Sequence, residues 1–583
     1  MSEIEDQPTY SVIKTPLRWW ASRFSLSEGQ ILLALSIVIG ALTGLAVVSF
    51  ILITERLGMR LYPVGSAAWR RVLIPVLGSL GMGYLLYRYF PDARGSGVPQ
   101  TKAALFARDG VITAGTTFGK FFCTSATLAS GIPLGREGPS VQVGAGIASI
   151  LGRHLGLPPQ RVKALIPVGA AAAIAAAFNT PLAAVLFALE EIVGDLNAPV
   201  LGSIVLASAT AWLVLRLMLG NNPLFQVPQY QLVHPIEFVL YAVLGAAGGL
   251  VSALFTKLLL GMRERFLRLP AWTTWFQPVA GGLMVGLMGW WVPQVLGVGY
   301  GYVGDALNGR MAVQLMALLI VFKLLAVTTS YASGNAGGIF GPSLFIGAML
   351  GGTLGSIAHY LLPAYTALPG AYALVGMGTL FAGIVRAPMT SVLMIFETTH
   401  DYAVIVPLMI SNMVSFFIST KLQRQPIYEA LAVQDGIHLP GAEMRHRGQR
   451  EIAQVMRNAS EIMRSDMTVQ EAFEQSPSMK FQTWPVTDER GVTGVIGMAR
   501  LTEAMENGGA SKKIGDLVDA LHFPHVHANQ PLYLALERMG TANVNILPVV
   551  SRANIHHLMG IVVLADVLNS YGVQQREWPN LGP

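Results

Sequence analysis

Between Gln30 and Thr420 the chain is a succession of apolar segments broken by glycine and proline, and this pattern restricts the fold more than any other feature. Two long runs come first, Gln30 to Leu57 and Val72 to Phe90, each long enough to span a bilayer. Shorter pieces follow at 111–134, 139–152, 164–178, 181–193, 200–220, 235–262, 276–297, 312–330, 341–362, 370–385, 388–399 and 403–420. Several are too short to cross. Helices broken at membrane depth are tolerated only where their free backbone ends line a site buried in protein or water. The composition agrees with a bilayer, since 52% hydrophobic and 12% charged residues fall outside the soluble range. The expected fold is an all-α polytopic membrane protein with broken, re-entrant helices.

The broken segments repeat. Residues 138–152, GPSVQVGAGIASILG, align without a gap on 341–355, GPSLFIGAMLGGTLG. Gly169, Pro181, Val185, Leu186 and Glu190 then recur at the same relative spacing as Gly376, Pro388, Val392, Leu393 and Glu397. Inverted repeats are common in transporters, and their helix breaks mark the site. Two halves are expected within a membrane domain at 30–430, at about 30–225 and 230–430, with a loop boundary marked by Asn221, Asn222 and prolines. The segment 1–29 lacks the apolar core of a cleaved signal, so none is expected, and a cytoplasmic N-terminus is expected, with which Lys14, Arg18 and Arg23 agree by the positive-inside rule. Past a charged linker at 431–451, residues 452–575 read as soluble α/β with two similar halves, followed by a tail at 576–583. Strands are expected at Gln482–Val486, Val492–Met498, Ile546–Val550 and Met559–Val563, and helices at 467–475 and 530–540.

Gly131 to Gly146 places Arg136 and Glu137 in an apolar, glycine-rich stretch, followed by Gly138, Pro139 and Ser140. Proline suits the first position of a helix, so a helix start is expected here. At membrane depth its free N–H groups and positive dipole end suit an anion. Glu137 would be a carboxylate beside that site. A structural ion pair between Glu137 and Arg136 is the alternative. Gly95-Ser96-Gly97-Val98-Pro99 is a similar break, whose Ser96 hydroxyl either donates to an anion or caps a helix. Gly337-Gly338-Ile339-Phe340-Gly341-Pro342 offers the N–H groups of Ile339 and Phe340, or is a plain helix start.

Taken together, GSGVP at 95–99, GREGP at 135–139 and GGIFGP at 337–342 resemble the CLC family of chloride channels and chloride/proton antiporters. The resemblance covers roughly residues 30–430 and implies a homodimer with one ion path per subunit. It implies that Ser96, Ile339, Phe340 and Tyr428 line the chloride site, with Gly95, Gly97, Pro99, Gly135, Arg136, Gly138, Pro139, Gly338 and Pro342 shaping the loops. Glu137 matches the outer gating glutamate. Glu191, in AFNTPLAAVLFALEE, matches the inner glutamate of proton-exchanging members, whereas channels carry an uncharged residue there. A glutamate at a water-exposed helix end is the alternative reading of Glu191. Glu190 has its repeat counterpart in Glu397, which points to a structural role for both, by capping or bonding neighbouring backbone. Lys102 falls where some family antiporters have a glutamate, and Lys120 matches a basic position that holds the field positive or else snorkels. The polar tail resembles a tandem pair of CBS domains, which often bind adenine nucleotides. Asp566 is the residue kept for that contact, but Val563 stands where a hydroxyl is needed and Glu503 replaces the first Asp, so a structural or dimerising role stands beside it.

The expected function is chloride/proton antiport across a lipid bilayer, the inner membrane if prokaryotic, with the N-terminus and CBS pair cytoplasmic. A passive chloride channel and a ligand-sensing membrane protein are the alternatives. No enzymatic activity, metal or nucleic acid is expected: the net charge of +6 is modest, and the single Cys123 excludes an internal disulfide. His522, His525, His527, His556 and His557 match no zinc spacing and are read as surface residues.

Overall fold

A computed structural model describes residues 28–63, 65–196, 198–220, 225, 227, 230, 232–437, 451–459, 461–476, 481–519 and 523–571. The expected half-boundary at Asn221 and Asn222, most of the linker and the final tail lie outside them. The chain divides into two compact units, Met1–Leu439 and Pro440–Pro583.

The first unit is helical. Helices α1 (Glu28–Leu61), α2 (Arg70–Arg88), α3 (Val98–Ala107), α4 (Ala114–Ala129), α5 (Glu137–His154), α6 (Pro159–Phe178), α7 (Pro181–Phe187) and α8 (Leu201–Leu219) form one series. A second series is α9 (Glu237–Leu267), α10 (Pro278–Trp291), α11 (Tyr300–Leu307), α12 (Val313–Ala332), α13 (Phe340–Leu361), α14 (Pro369–Val385), α15 (Pro388–Thr399) and α16 (Ile405–Leu422), with α17 (Ile427–Gln434) after it. The second series repeats the first element by element, so the repeat extends well beyond the two blocks legible by alignment. Among the described residues seven helices are long and apolar enough to cross a membrane. By contrast α3, α7 and α11 have 10, 7 and 8 residues, far short of the roughly 20 that crossing needs.

Helices touch their own counterparts, α2 with α10, α7 with α15 and α5 with α13, as elements related by a two-fold axis do. Within each half, α5 packs on α6 and α13 on α14 by the same device. A Cβ built on Gly144 would collide with the Gly169 carbonyl oxygen, and one on Gly347 with that of Gly376. Small residues let backbones approach this closely. The two glutamates expected to be structural cross between the halves. Glu190 accepts from the Thr390 N–H at 2.8 Å, the Met389 N–H at 3.3 Å and the Thr390 hydroxyl at 2.7 Å, at the start of α15. Glu397 accepts from the N–H groups of Leu182 and Ala183, at 2.9 and 2.7 Å, at the start of α7. Each half thus caps a short helix of the other, seven residues in α7 and twelve in α15, satisfying first-turn donors that no helix can satisfy itself. Replacing Glu397→Ala is expected to cost about 1–2 kcal/mol, read as a lower Tm of the purified protein; an unchanged Tm would remove the capping role.

The helix starts need one adjustment. The first-position argument for Pro139 is off by one half-turn, since α5 begins at Glu137 and α13 likewise at Phe340, so Pro139 and Pro342 are each the third residue. The difference costs nothing, because N–H groups throughout the first turn lack intrahelical acceptors.

The second unit consists of two similar halves. In the first, a helix at Val469–Gln475 precedes strands Thr483–Asp488 and Gly491–Gly497, an antiparallel pair, and then a helix at Met498–Glu506. In the second, Leu532–Ala542 precedes the antiparallel strands Ile546–Val550 and Leu558–Val563, followed by Leu564–Ser570. The short strand Met463–Arg464 adds a parallel edge to the first sheet. Met498, expected in a strand, opens a helix instead.

Candidate functional site: an anion site between two helix starts

The loops before α5 and α13 meet head to head. Gly135 and Gly338 exchange both backbone hydrogen bonds, each 2.7 Å, in an isolated antiparallel bridge. The positive ends of two helices therefore open onto one buried place, which a negative charge can stabilise. Glu137 supplies that charge. Its side chain is wholly buried, Oε2 accepts from the Gly341 N–H at 3.2 Å, and Oε1 accepts from the Tyr300 hydroxyl. The carboxylate thus sits on the start of α13 where a free anion would otherwise sit, and can compete with one for the same donors. Ile339 and Phe340 form this helix start and are fully buried. The Phe340 ring is wedged among Phe178, Phe187 and Phe381, with centroids 4.8, 5.7 and 4.3 Å away.

Arg136 does not pair with Glu137. Its guanidinium lies 3.4 Å from Glu55 on α1 and over the Tyr300 ring at 5.5 Å. The two charged neighbours at the start of α5 point apart, so the structural ion pair is not formed.

Ser96 approaches from the other side. Gly97 has φ of +99° and its Cβ would strike the Gly138 carbonyl, so only glycine brings this loop against the first turn of α5. The capping alternative for Ser96 fails: Gly97 is the N-cap residue, and its N–H is satisfied by Gln100 Oε1 at 2.9 Å. Ser96 Oγ is instead buried without a hydrogen-bond partner among the described residues, and so is the Tyr428 hydroxyl on α17. The two hydroxyls lie within reach of each other and α17 packs on α3, so both can turn to an acceptor from outside the chain. The Ser96 N–H donates to the Tyr331 hydroxyl at 3.2 Å. Pro99 lies in the first turn of α3.

Lys120 does not snorkel. It is fully buried and Nζ donates to the carbonyls of Arg94 and Gly95, at 3.2 and 2.9 Å, holding the Ser96 loop. Lys323 does the same in the second half, donating to Val295 at 3.1 Å and Gly297 at 2.6 Å. Both lysines stand 18 residues before the glycine of a Gly-Pro-Ser, Gly138 or Gly341 (138 − 120 and 341 − 323). That spacing was available in the sequence.

Residues 78–420 match the model of a known family described as "Voltage gated chloride channel". The chain belongs to this family. It is 33% identical over 354 residues to the "H(+)/Cl(-) exchange transporter ClcA" of Vibrio campbellii, covering 60% of this chain and 76% of that one. It is 35% identical over 383 residues to the "Putative chloride channel protein ClcB-like" of Ralstonia nicotianae, covering 64% and 89%. Among solved structures, a "slow cyanobacterial Cl-/H+ antiporter" superposes with a TM-score of 0.64 and 27% identity, over 69% of this chain and 97% of that one. Residues 514–572 match the CBS domain model.

Glu191, which the resemblance matches to an inner glutamate, has an unexpected partner. Glu191 lies in a single π-helical turn, Ala188–Val193, that continues α7, and its Oε1 is 2.7 Å from Lys102 Nζ on α3. Their side chains are 8% and 3% exposed, so Glu191 does not stand at a water-exposed helix end. Tyr300, Tyr331, Lys323 and the Lys102–Glu191 pairing escaped sequence reasoning; apart from the lysine spacing, no local signal announces them.

In the tail, Asp566 forms an ion pair with Arg457 through Oδ1, while Oδ2 is buried without a partner among the described residues. His527 and His556 each direct Nδ1 at a backbone carbonyl, of Val550 and Val492, at 2.9 and 2.6 Å. Burial holds the His525 imidazole below the usual histidine range. His522 lies outside the described residues.

Proposed function

We propose that this protein exchanges chloride for protons across a cell membrane, as a homodimer with its N-terminus and CBS pair in the cytoplasm. The observation that carries the reading is Glu137, a carboxylate seated on the N-terminus of α13 in an anion's place. Protonation removes its attraction for those donors and frees the place for chloride, so anion passage is tied to a proton. Chloride is bound by the helix starts at Ile339 and Phe340 and by the hydroxyls of Ser96 and Tyr428. Glu137 exchanges protons with the outer side and Glu191 with the inner side. The exchange activity named for the Vibrio relative and for the cyanobacterial structure supports this reading.

A passive chloride channel, in which Glu137 gates and Glu191 is inert, is the second reading, favoured by the 35% identical relative named a putative chloride channel protein. Reconstituted proteoliposomes separate the two. An imposed chloride gradient is expected to drive protons uphill, and Glu191→Gln is expected to remove that proton flux while chloride flux persists. Chloride flux in the wild type with no accompanying proton movement would leave only the channel. For the tail, the residues fit a nucleotide poorly, since Val563 offers no hydroxyl and Arg457 engages Asp566; a structural role is the better reading.

A further inference from the structure

A carboxylate that gives up a proton must exist afterwards as an anion, and for a buried group this is the unfavourable half of the cycle. Glu191 is 8% exposed at its side chain. Lys102 Nζ is 2.7 Å from it, and is itself 3% exposed. A buried ion pair is a poor source of stability compared with apolar packing of equal volume, so fold stability alone gives little reason for this one.

Among the described residues, Lys102 is the cation whose nitrogen is in direct contact with the Glu191 carboxylate. Arg386 adds a second positive charge within electrostatic range of it, held at a distance from the carboxylate by donating to the carbonyls of Gln423 and Arg424. On α17, Tyr428 and Glu429 carry no positive charge, and Glu190 turns away to cap α15. The buried stretch of α6 facing this region, Leu165 to Phe178, has no ionisable side chain. Glu137 at the start of α5 is engaged with Gly341 and Tyr300.

We infer that Lys102 is the positioning residue that lets buried Glu191 release its proton, by offsetting the carboxylate charge that release creates. In the loaded state the acid is neutral and the ammonium is the net charge; when the proton leaves, the pair is neutral. Lys102 is also placed by the chloride site: it stands four residues after Val98 on α3, about 6 Å of helix rise beyond the loop that carries Ser96. Proton release and anion binding therefore share one short, rigid helix. Glu190 and Glu191, consecutive in the π turn, point apart as neighbours on a helix do and have separate partners on α15 and α3.

This inference rests on the exchange reading above, and its test keeps the two apart. Proton and chloride fluxes are measured together in proteoliposomes for wild type, Lys102→Gln, Lys102→Met and Lys102→Arg. Both uncharged variants are expected to keep chloride flux and to lose chloride-driven proton flux by about ten-fold or more, and Arg to restore it. Infrared difference spectra provide a second measurement that does not depend on transport. A protonated-carboxyl band should appear in Lys102→Gln at a pH where wild type lacks it, and disappear in Lys102→Gln/Glu191→Gln. If Lys102→Gln retains the wild-type proton-to-chloride ratio, or Arg fails to rescue, or the band is absent, the inference is overturned. If wild type itself moves no protons, the exchange reading falls instead, and Lys102 is then a fixed neutraliser of Glu191.

Discussion

Replacing Glu137→Gln is expected to abolish chloride-driven proton transport while leaving chloride passage, now indifferent to pH on the outer side. The amide nearly matches the carboxylate in shape, so the loops joined by the Gly135–Gly338 bridge are retained. What is lost is the charge that holds the side chain on the Gly341 N–H and the ability to carry a proton. A positioned proton-transfer group contributes on the order of 10²–10⁴ in rate, so proton flux should fall by about 10² or more, to the level of empty vesicles. Chloride binding measured by calorimetry at neutral pH should tighten, because the competing carboxylate is gone. Unchanged binding together with unchanged proton flux would mean that Glu137 merely closes a helix start.

The largest expected effect on folding is at Gly144. A side chain there would meet the Gly169 carbonyl, with Thr43 Cγ2 at 2.8 Å and Ala173 Cβ at 3.0 Å. The obstruction on one side is backbone in the middle of α6, which cannot yield as a flexible side chain does. Gly144→Val is expected to cost on the order of 4 kcal/mol or more, seen as loss of the monodisperse peak in size-exclusion chromatography of the detergent-solubilised protein. Gly58 on α1 has nothing within 4 Å of its Cβ position, so Gly58→Val should purify normally and serves as the comparison. Equal behaviour of the two variants would contradict the close α5–α6 contact.

The helix pattern could be read from the amino-acid order because its causes are local. Apolar runs, a proline within the first turn and glycine at a break each act over a few residues, so the broken helices, the two blocks of the repeat and the position of Glu137 at a helix start were all legible. A shared structural role for Glu190 and Glu397 was legible for the same reason, as equivalent positions in equivalent segments, but not that each caps a helix of the other half. The tertiary structure decided which distant groups share a place. Glu137 and Tyr300 are 163 residues apart, and Lys102 and Glu191 are 89 apart. Read singly, Lys102 is a departure from a family pattern and Tyr300 is one more aromatic residue; only chain closure brings each beside a buried carboxylate. Coulomb and hydrogen-bond energies depend on separation in space and on burial, and sequence spacing specifies neither once the chain has turned back on itself.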